Sequence, residues 1–260
     1  MAVGSPRCLH SNGWKPDAPA GSSVTSRSTG ENVMTKKVLF ALTSHGVLGD
    51  TGRKTGFYIP EVAHPAAVFR KAGYDLDFVS VEGGAPPQDG FDPGDQVQAD
   101  FLADPHIETA LSTTAAPGDL TAADYDVIFY AGGHGAMWDL AESEALAELA
   151  AGIYEQGGVV AAVCHGPAGL VNVRLGDGAY LVDGKQVSTF TNEEEAAVGM
   201  TEVVPYLLES KLAERGAKIT KAGNFAEHAV ADQRLVTGQN PASAVRVAEL
   251  VLEQLAAGSA

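Results

Sequence analysis

The chain has 260 residues, 45% of them hydrophobic, with 17 basic against 33 acidic side chains and a formal net charge of −16. Acidity of this size excludes a nucleic-acid binder, since nothing offsets phosphate repulsion, and no run of ~18 apolar residues exists to span a membrane. The two cysteines, Cys8 and Cys164, sit in unrelated contexts, which excludes a disulfide framework.

Residues 1–33 are rich in Ser, Gly, Pro and Thr without apolar periodicity, and are expected to be a disordered leader or an over-long start. They hold no apolar core of the kind a secretory signal needs, and Arg7, Lys15 and Arg27 are too few basic residues for a convincing transit peptide. Met34 is the expected start of a single domain running over 34–258. Val38–Leu42 is a continuous apolar run, as expected of a strand buried on both faces. Pro60-Glu61 opens a helix through Ala72, with proline at the first position and an acid at the positive end of the dipole. Leu76–Val81 is the next strand. Residues 83–118 form a long Gly/Pro/Asp-rich insertion with one short helix expected near 96–102, and a loop of this length usually carries a site, a lid or an interface. Asp126–Ala131 is a buried strand, Ser143–Gln156 a helix stopped by Gly157-Gly158, and Val159–Val163 the most central strand. Strand-like 185–190, a helix over 203–214, strand-like 217–222, a hairpin over 230–236 and a helix over 241–255 complete the chain. Strands alternating with helices predict parallel βαβ units, hence a sheet covered on both faces, and in such sheets the site lies beyond the carboxyl ends of the strands.

Cys164 directly follows the central strand, in Ala162-Val-Cys-His-Gly166, the nucleophile-elbow pattern with Cys for Ser and Ala for the first Gly. Small flanking residues suit a sharp turn that lifts the side chain out, and a helix N-terminus after it is expected to lower the thiol pKa. A buried structural cysteine is the competing reading. Ala131-Gly-Gly-His-Gly135 ends the preceding strand, where glycines free backbone N–H groups, as an oxyanion hole requires. Glu61 lies near the exit of the first strand. Glu193-Glu194-Glu195 follow another strand-like stretch and read by themselves as a solvated turn.

Taken in order, Thr43-Ser-His45, Lys54-Thr-Gly56, Pro60-Glu-Val-Ala-His-Pro65, Ala131-Gly-Gly-His-Gly135, Ala161-Ala-Val-Cys-His-Gly-Pro167 and Arg234-Leu-Val-Thr-Gly-Gln-Asn-Pro-Ala-Ser243 resemble the DJ-1/PfpI superfamily and its Hsp31-like branch, from Lys36 to about Val251. The resemblance implies a flavodoxin-like, doubly wound α/β fold, mostly parallel, with an inserted segment after the second strand. It implies Cys164 as nucleophile, His165 as its histidine and Glu61 as the acid beside the sulfur. Glu195 matches the carboxylate that orients the histidine, Glu193 or Glu194 taking that part if the register slips. The N–H groups of Gly133 and His165 would form the oxyanion hole, with His134 lining the pocket. His45, His64 and His228 receive no role. Some members bind metal through residues matching Glu61, His134 and His165, but no spacing here demands an ion, so no metal is expected. The implied activity is a glyoxalase III reaction, methylglyoxal to D-lactate without glutathione or other cofactor, with a small dicarbonyl as substrate. Glu61 is expected to have a raised pKa, through partial burial and repulsion from a thiolate. A homodimer in the cytoplasm, active in carbonyl stress, goes with the resemblance. Competing activities on the same residues are protein deglycation and amide or peptide hydrolysis, and the non-enzymatic alternatives are a holdase chaperone and a redox sensor.

Overall fold

A computed structural model describes residues 36–258; the expected leader and the start at Met34 lie outside the described residues. In chain order the elements are β1 (Lys37–Leu42), β2 (Phe57–Tyr58), α1 (Pro60–Lys71), β3 (Asp75–Ser80), β4 (Gln88–Asp89), α2 (Gln96–Ala103), α3 (Pro105–Ser112), β5 (Val127–Tyr130), α4 (Ala136–Asp139), α5 (Glu144–Glu155), β6 (Val159–Val163), β7 (Gln186–Val187), α6 (Asn192–Ala197), α7 (Leu208–Glu214), β8 (Lys218–Ile219), β9 (Ala229–Asp232), β10 (Leu235–Gly238) and α8 (Ala244–Ala257). Six strands form one sheet in the order β3-β1-β5-β6-β10-β9. Every pairing in it is parallel except β10 with β9, which closes one edge as an antiparallel hairpin.

The uninterrupted apolar runs make sense in this sheet because both faces are covered. Leu39, Ile128, Val160 and Leu235 point into one core with Leu146 and Ile153 of α5. Their neighbours Phe40, Phe129, Ala161 and Val236 point into the other, with Phe69 of α1 and Val247 of α8. Phe40 packs against Phe69, Phe78 and Phe129, with ring centroids 5.2–6.1 Å apart. The expected doubly wound, mostly parallel α/β sheet is therefore the observed one. From β1 the chain first adds β3 on one side, then crosses to place β5 on the other. The crevice at the carboxyl ends of β1 and β5 is thus the topological switch point, where ligands of such sheets bind.

Several local expectations need correction. The 83–118 insertion holds two helices, α2 and α3; Asp95 and Asp104 cap them by accepting backbone N–H bonds, and α3 starts with Pro105. The helix expected over 203–214 begins only at Leu208, since Pro205 cannot donate a helical bond and biases its predecessor away from helix. Strand-like 185–190 and 217–222 contribute only β7 and β8, a two-residue parallel pair outside the main sheet. The turn after Cys164 leads into a five-residue 3-10 helix, Gly166–Leu170, not an extended α-helix.

Gly166 is required by close approach: a Cβ there would collide with the backbone oxygen of Tyr130 at the end of β5. Gly166→Ala should lower the free energy of unfolding by about 1–3 kcal/mol, as overpacking a tight core does, measured by urea denaturation.

Candidate active site

Three strand exits converge. The first carries the chain from β1 to the short β2–β4 ribbon, and Ile59 N–H donates to Asp89 O (2.9 Å) while Tyr58 N–H donates to Gly132 O (2.9 Å). These bonds set the start of α1 over the end of β5, and they bury Glu61 completely. Gly132 N–H donates to Glu61 Oε2 (2.8 Å). A Cβ on Gly132 would strike that same oxygen, and one on Gly133, at φ +101°, would strike Gly56 O. The Gly-Gly pair is therefore needed for approach and for a left-handed turn.

The second exit is β6. Cys164 has φ +60°, a left-handed conformation for a residue with a side chain. Such strain costs on the order of 1–3 kcal/mol and persists only where neighbours enforce it. Here Cys164 N–H donates to Gly238 O (3.0 Å), and Cys164 O accepts from Phe190 N–H (2.9 Å) and Thr189 Oγ1 (3.1 Å). The elbow expected from the sequence is present, and the side chain is 4% exposed at the floor of a cavity.

The third exit is the segment after β7, which leads into α6. Thr191 and Glu194 form a reciprocal capping box at the start of α6. The expected solvated turn is instead a capped helix with two of its three acids buried. Glu193 is exposed beside Lys221 (3.5 Å). Glu194 turns inward: its Oε1 accepts from Phe225 N–H (2.7 Å), Gln239 Nε2 (3.0 Å) and Asn240 Nδ2 (2.9 Å), and its Oε2 from Thr191 N–H (2.9 Å). Glu195 reaches the histidines, with Oε2 2.8 Å from His165 Nε2 and Oε1 2.9 Å from His134 Nε2. Of the three register alternatives, geometry selects Glu195.

A carboxylate only accepts, so both imidazoles must present Nε2–H to Glu195. That leaves His165 Nδ1 as a lone pair, 3.4 Å from Cys164 Sγ. Glu195 is pushed up by burial, but the two imidazole bonds outweigh this and hold it at about 2, so it is ionised throughout the useful range. Burial lowers the pKa of His165, against the pull of Glu195, so the ring is neutral at pH 7. Burial also raises Cys164 well above the usual thiol value, reinforced by Glu61, although the His165 backbone N–H works against it. The expected thiolate-favouring helix terminus does not prevail: five residues of 3-10 helix cannot offset complete desolvation. Glu61 is pushed up to about 8 by burial, with Cys164 and the Gly132 N–H pulling it partly back. The expected rise is real, but burial causes it, not repulsion by the sulfur. Glu61 Oε1 is sealed from solvent with no nitrogen or oxygen partner among the described residues.

A cavity of about 230 Å³ is lined by Glu61, Gly133, His134, Cys164 and His165, and by Tyr58, Phe190, Val198, Phe225 and Pro241. The sequence reading missed these last five, because each approaches from a different element and none has a chemical signature. The three histidines given no role lie elsewhere: His64 pairs with Asp95 (2.7 Å), His228 with Thr220 Oγ1 (3.1 Å), and His45 stacks on Trp138 at 5.0 Å. Among the described residues, the ligand atoms of His134, His165 and Glu195 converge within 4.8 Å, as a metal site would require. Glu61 is not in that set. The two hydrogen bonds to Glu195 account for the convergence.

A strand-end cysteine at positive φ, a histidine turned by a buried carboxylate and a second buried acid beside the sulfur define a cysteine-centred α/β protein of the doubly wound class. The chain belongs to the DJ-1/PfpI family, whose sequence profile matches residues 54–254. It is 37% identical over 227 residues to the glutathione-independent glyoxalase HSP31 of Saccharomyces cerevisiae, covering 80% of this chain and 93% of that protein. It is also 37% identical over 235 residues to glyoxalase 3 of Candida albicans, covering 83% and 97%. The crystal structure of glyoxalase III from Candida albicans superposes with a TM-score of 0.77 at 33% identity, over 85% of this chain and 97% of that one. Rapid Encystment Protein 24 kDa of Francisella tularensis gives 0.82 at 36% identity, over 85% and 99%.

The raised pKa of Glu61 has a consequence for stability. Between the ordinary 4.5 and about 8 the folded chain keeps a proton that the unfolded chain releases, so Glu61 makes stability fall as pH rises through that window. Glu61→Gln removes this penalty. Its gain in Tm over the parent should be small at pH 4.5 and grow steadily up to pH 8, measured by calorimetry across the range.

Proposed function

We propose that the protein is a glutathione-independent glyoxalase that adds water across methylglyoxal to give D-lactate, with Cys164 as the nucleophile. One observation carries this reading: a thiol 3.4 Å from an imidazole whose far nitrogen is 2.8 Å from an ionised carboxylate, in one cavity with a carboxyl group that is mostly protonated at neutral pH.

As the sulfur attacks the aldehyde carbon, His165 Nδ1 takes the thiol proton, so no free thiolate has to wait in a desolvated pocket. Glu195 stabilises the resulting imidazolium, with His134 on its other oxygen. The new C–S bond leaves charge on the former aldehyde oxygen, which receives the Glu61 proton and backbone N–H bonds from the Gly133 and His165 turns. Glu61, now a carboxylate, removes the hydrogen from the sulfur-bearing carbon. The electron pair moves into the neighbouring carbonyl, giving an enediolate. Glu61 returns that proton to the second carbon while the first hydroxyl surrenders its own to the enediolate oxygen, leaving a lactoyl thioester. Water cleaves the thioester, its hydroxyl going to the acyl carbon and its proton to the Glu61 carboxylate, so that lactic acid leaves, Glu61 is protonated again, and the sulfur recovers its proton from His165. The sum is methylglyoxal plus water to lactic acid, with no electron carrier. A carboxyl group with a pKa of about 8 suits a residue that acts as acid and base in turn, since both of its protonation states are accessible near neutral pH.

In a lactate assay with methylglyoxal and no glutathione, Cys164→Ala should form no D-lactate above background, and Glu195→Gln should lose roughly a hundredfold or more in kcat/KM, the range for a misoriented acid–base partner. Undiminished turnover by Cys164→Ala would sink the scheme. Release of free amine from a glycated substrate, with no lactate from free methylglyoxal, would favour deglycation instead.

The pH profile follows from two groups. His165 must be neutral to accept the thiol proton, and its pKa is depressed, so the acid limb should fall below the ordinary histidine value. Glu61 must start protonated, so kcat/KM should drop as pH rises through about 8. Initial rates over pH 5–9.5 check both limbs.

A further inference from the structure

The cavity lining combines the ionisable groups with hydrocarbon from Phe190, Val198, Phe225 and Pro241. Phe225 and Val198 are unusual in being large apolar side chains left 50% and 39% exposed, and both face this same mouth. Phe225 is also held at φ +60°, one of three non-glycine residues with positive φ among the described residues. Cys164 is another, so two of these three strained positions line one cavity. A phenyl ring that is both strained and wet contributes little to folding, because glycine would take that backbone without cost.

What holds it there is Glu194. Its Oε1 accepts the Phe225 N–H, and the same oxygen is bound by Gln239 and Asn240. Asn240 Nδ2 also donates to Ala226 O (2.7 Å), which fixes the far side of the loop. Glu194 precedes Glu195, so the carboxylate that turns His165 and the clamp that presents Phe225 are adjacent on α6. The rings of His165, Phe190 and Phe225 run in sequence from the imidazole to the surface, with centroids 4.4 Å and then 6.4 Å apart. The methyl group of methylglyoxal offers little hydrocarbon for these rings to cover. A larger apolar substituent would follow this track outward. An anionic one would meet the fields of Glu194 and Glu195 on a chain of net charge −16, and among the described residues no arginine or lysine lines the cavity to receive it.

We propose that Phe225, with Val198 and Phe190, forms a subsite for the carbonyl substituent, making the preferred substrates neutral α-oxoaldehydes with an aryl or branched-alkyl group. This rests on the glyoxalase reading and deepens it. The reaction is unchanged: phenylglyoxal plus water gives mandelic acid by the same hydrogen transfer between adjacent carbons. Phe225 acts by binding, so its effect belongs in KM.

The test compares kcat/KM for phenylglyoxal and methylglyoxal from initial rates, before guanidinium modification sets in, reading mandelate and lactate. The parent should favour phenylglyoxal by about tenfold or more. Phe225→Ala and Phe225→Gly should each cut that ratio roughly tenfold through KM for phenylglyoxal, which is 1.4 kcal/mol and within what one apolar contact supplies in discrimination. Phe225→Leu, which keeps the hydrocarbon, should retain most of the preference. Phe225→Gly should also unfold at higher urea than the parent, so misfolding cannot account for its loss. A ratio that stays the same in the Ala and Gly variants, while methylglyoxal turnover remains dependent on Cys164, overturns the subsite and leaves the glyoxalase intact. No Cys164-dependent turnover of either compound overturns both.

Discussion

Everything at this site depends on how much charge a sealed space can hold. Cys164, Glu61 and His165 are all buried, and burial is the largest influence on each, raising the two acids and lowering the base. All three therefore rest uncharged near neutrality, and the permanent charge among them is set one step back, on Glu195. That carboxylate remains ionised because two imidazole N–H groups bind its two oxygens. Its charge then dictates the His165 tautomer and leaves a lone pair facing the sulfur. In the proposed reaction, the imidazolium formed when a proton moves from sulfur to nitrogen is already paired with that carboxylate.

The same arrangement explains the glycines and the strain. Glu61 can accept from the Gly132 N–H only if position 132 has no side chain, since a Cβ would occupy the carboxylate's place. Cys164 can present its sulfur only at φ +60°, and the end of β10 together with residues 189–190 pin that conformation through three hydrogen bonds. Strain of this sort is maintained by packing elsewhere, here the doubly covered sheet that holds β5, β6 and β10 in register. Structural precision at the switch point is thus a product of the apolar core behind it.

Much of this was legible in the chain. The runs Val38–Leu42, Val127–Tyr130 and Val159–Val163 identify buried parallel strands, and residues that immediately follow such strands are the ones that meet at a switch point. Cys164, Gly132 and Gly133 stood out for that reason, and Glu61 through the family resemblance. The acidic triplet misled: 193–195 looked like solvent-facing charge, yet one acid is exposed, one is a five-fold bonded clamp and one binds both histidines. Composition carries no information on which way a helix faces when its cap and its partners come from residues 191, 225, 239 and 240. The thiol's acidity was misjudged in the same way, because a motif shows a helix start but not the depth at which it lies.

By itself, then, the order of residues determined the sheet, the strand ends and the placing of a cysteine at the tip of the central strand, since apolar periodicity and backbone-limited residues such as glycine act locally. Only the tertiary structure decided which carboxylate meets His165, which groups lose their charge, and that Phe225 stands over the mouth of the cavity. Those outcomes arise from desolvation and from contacts between segments far apart in the chain, and both come into being only when the sheet closes.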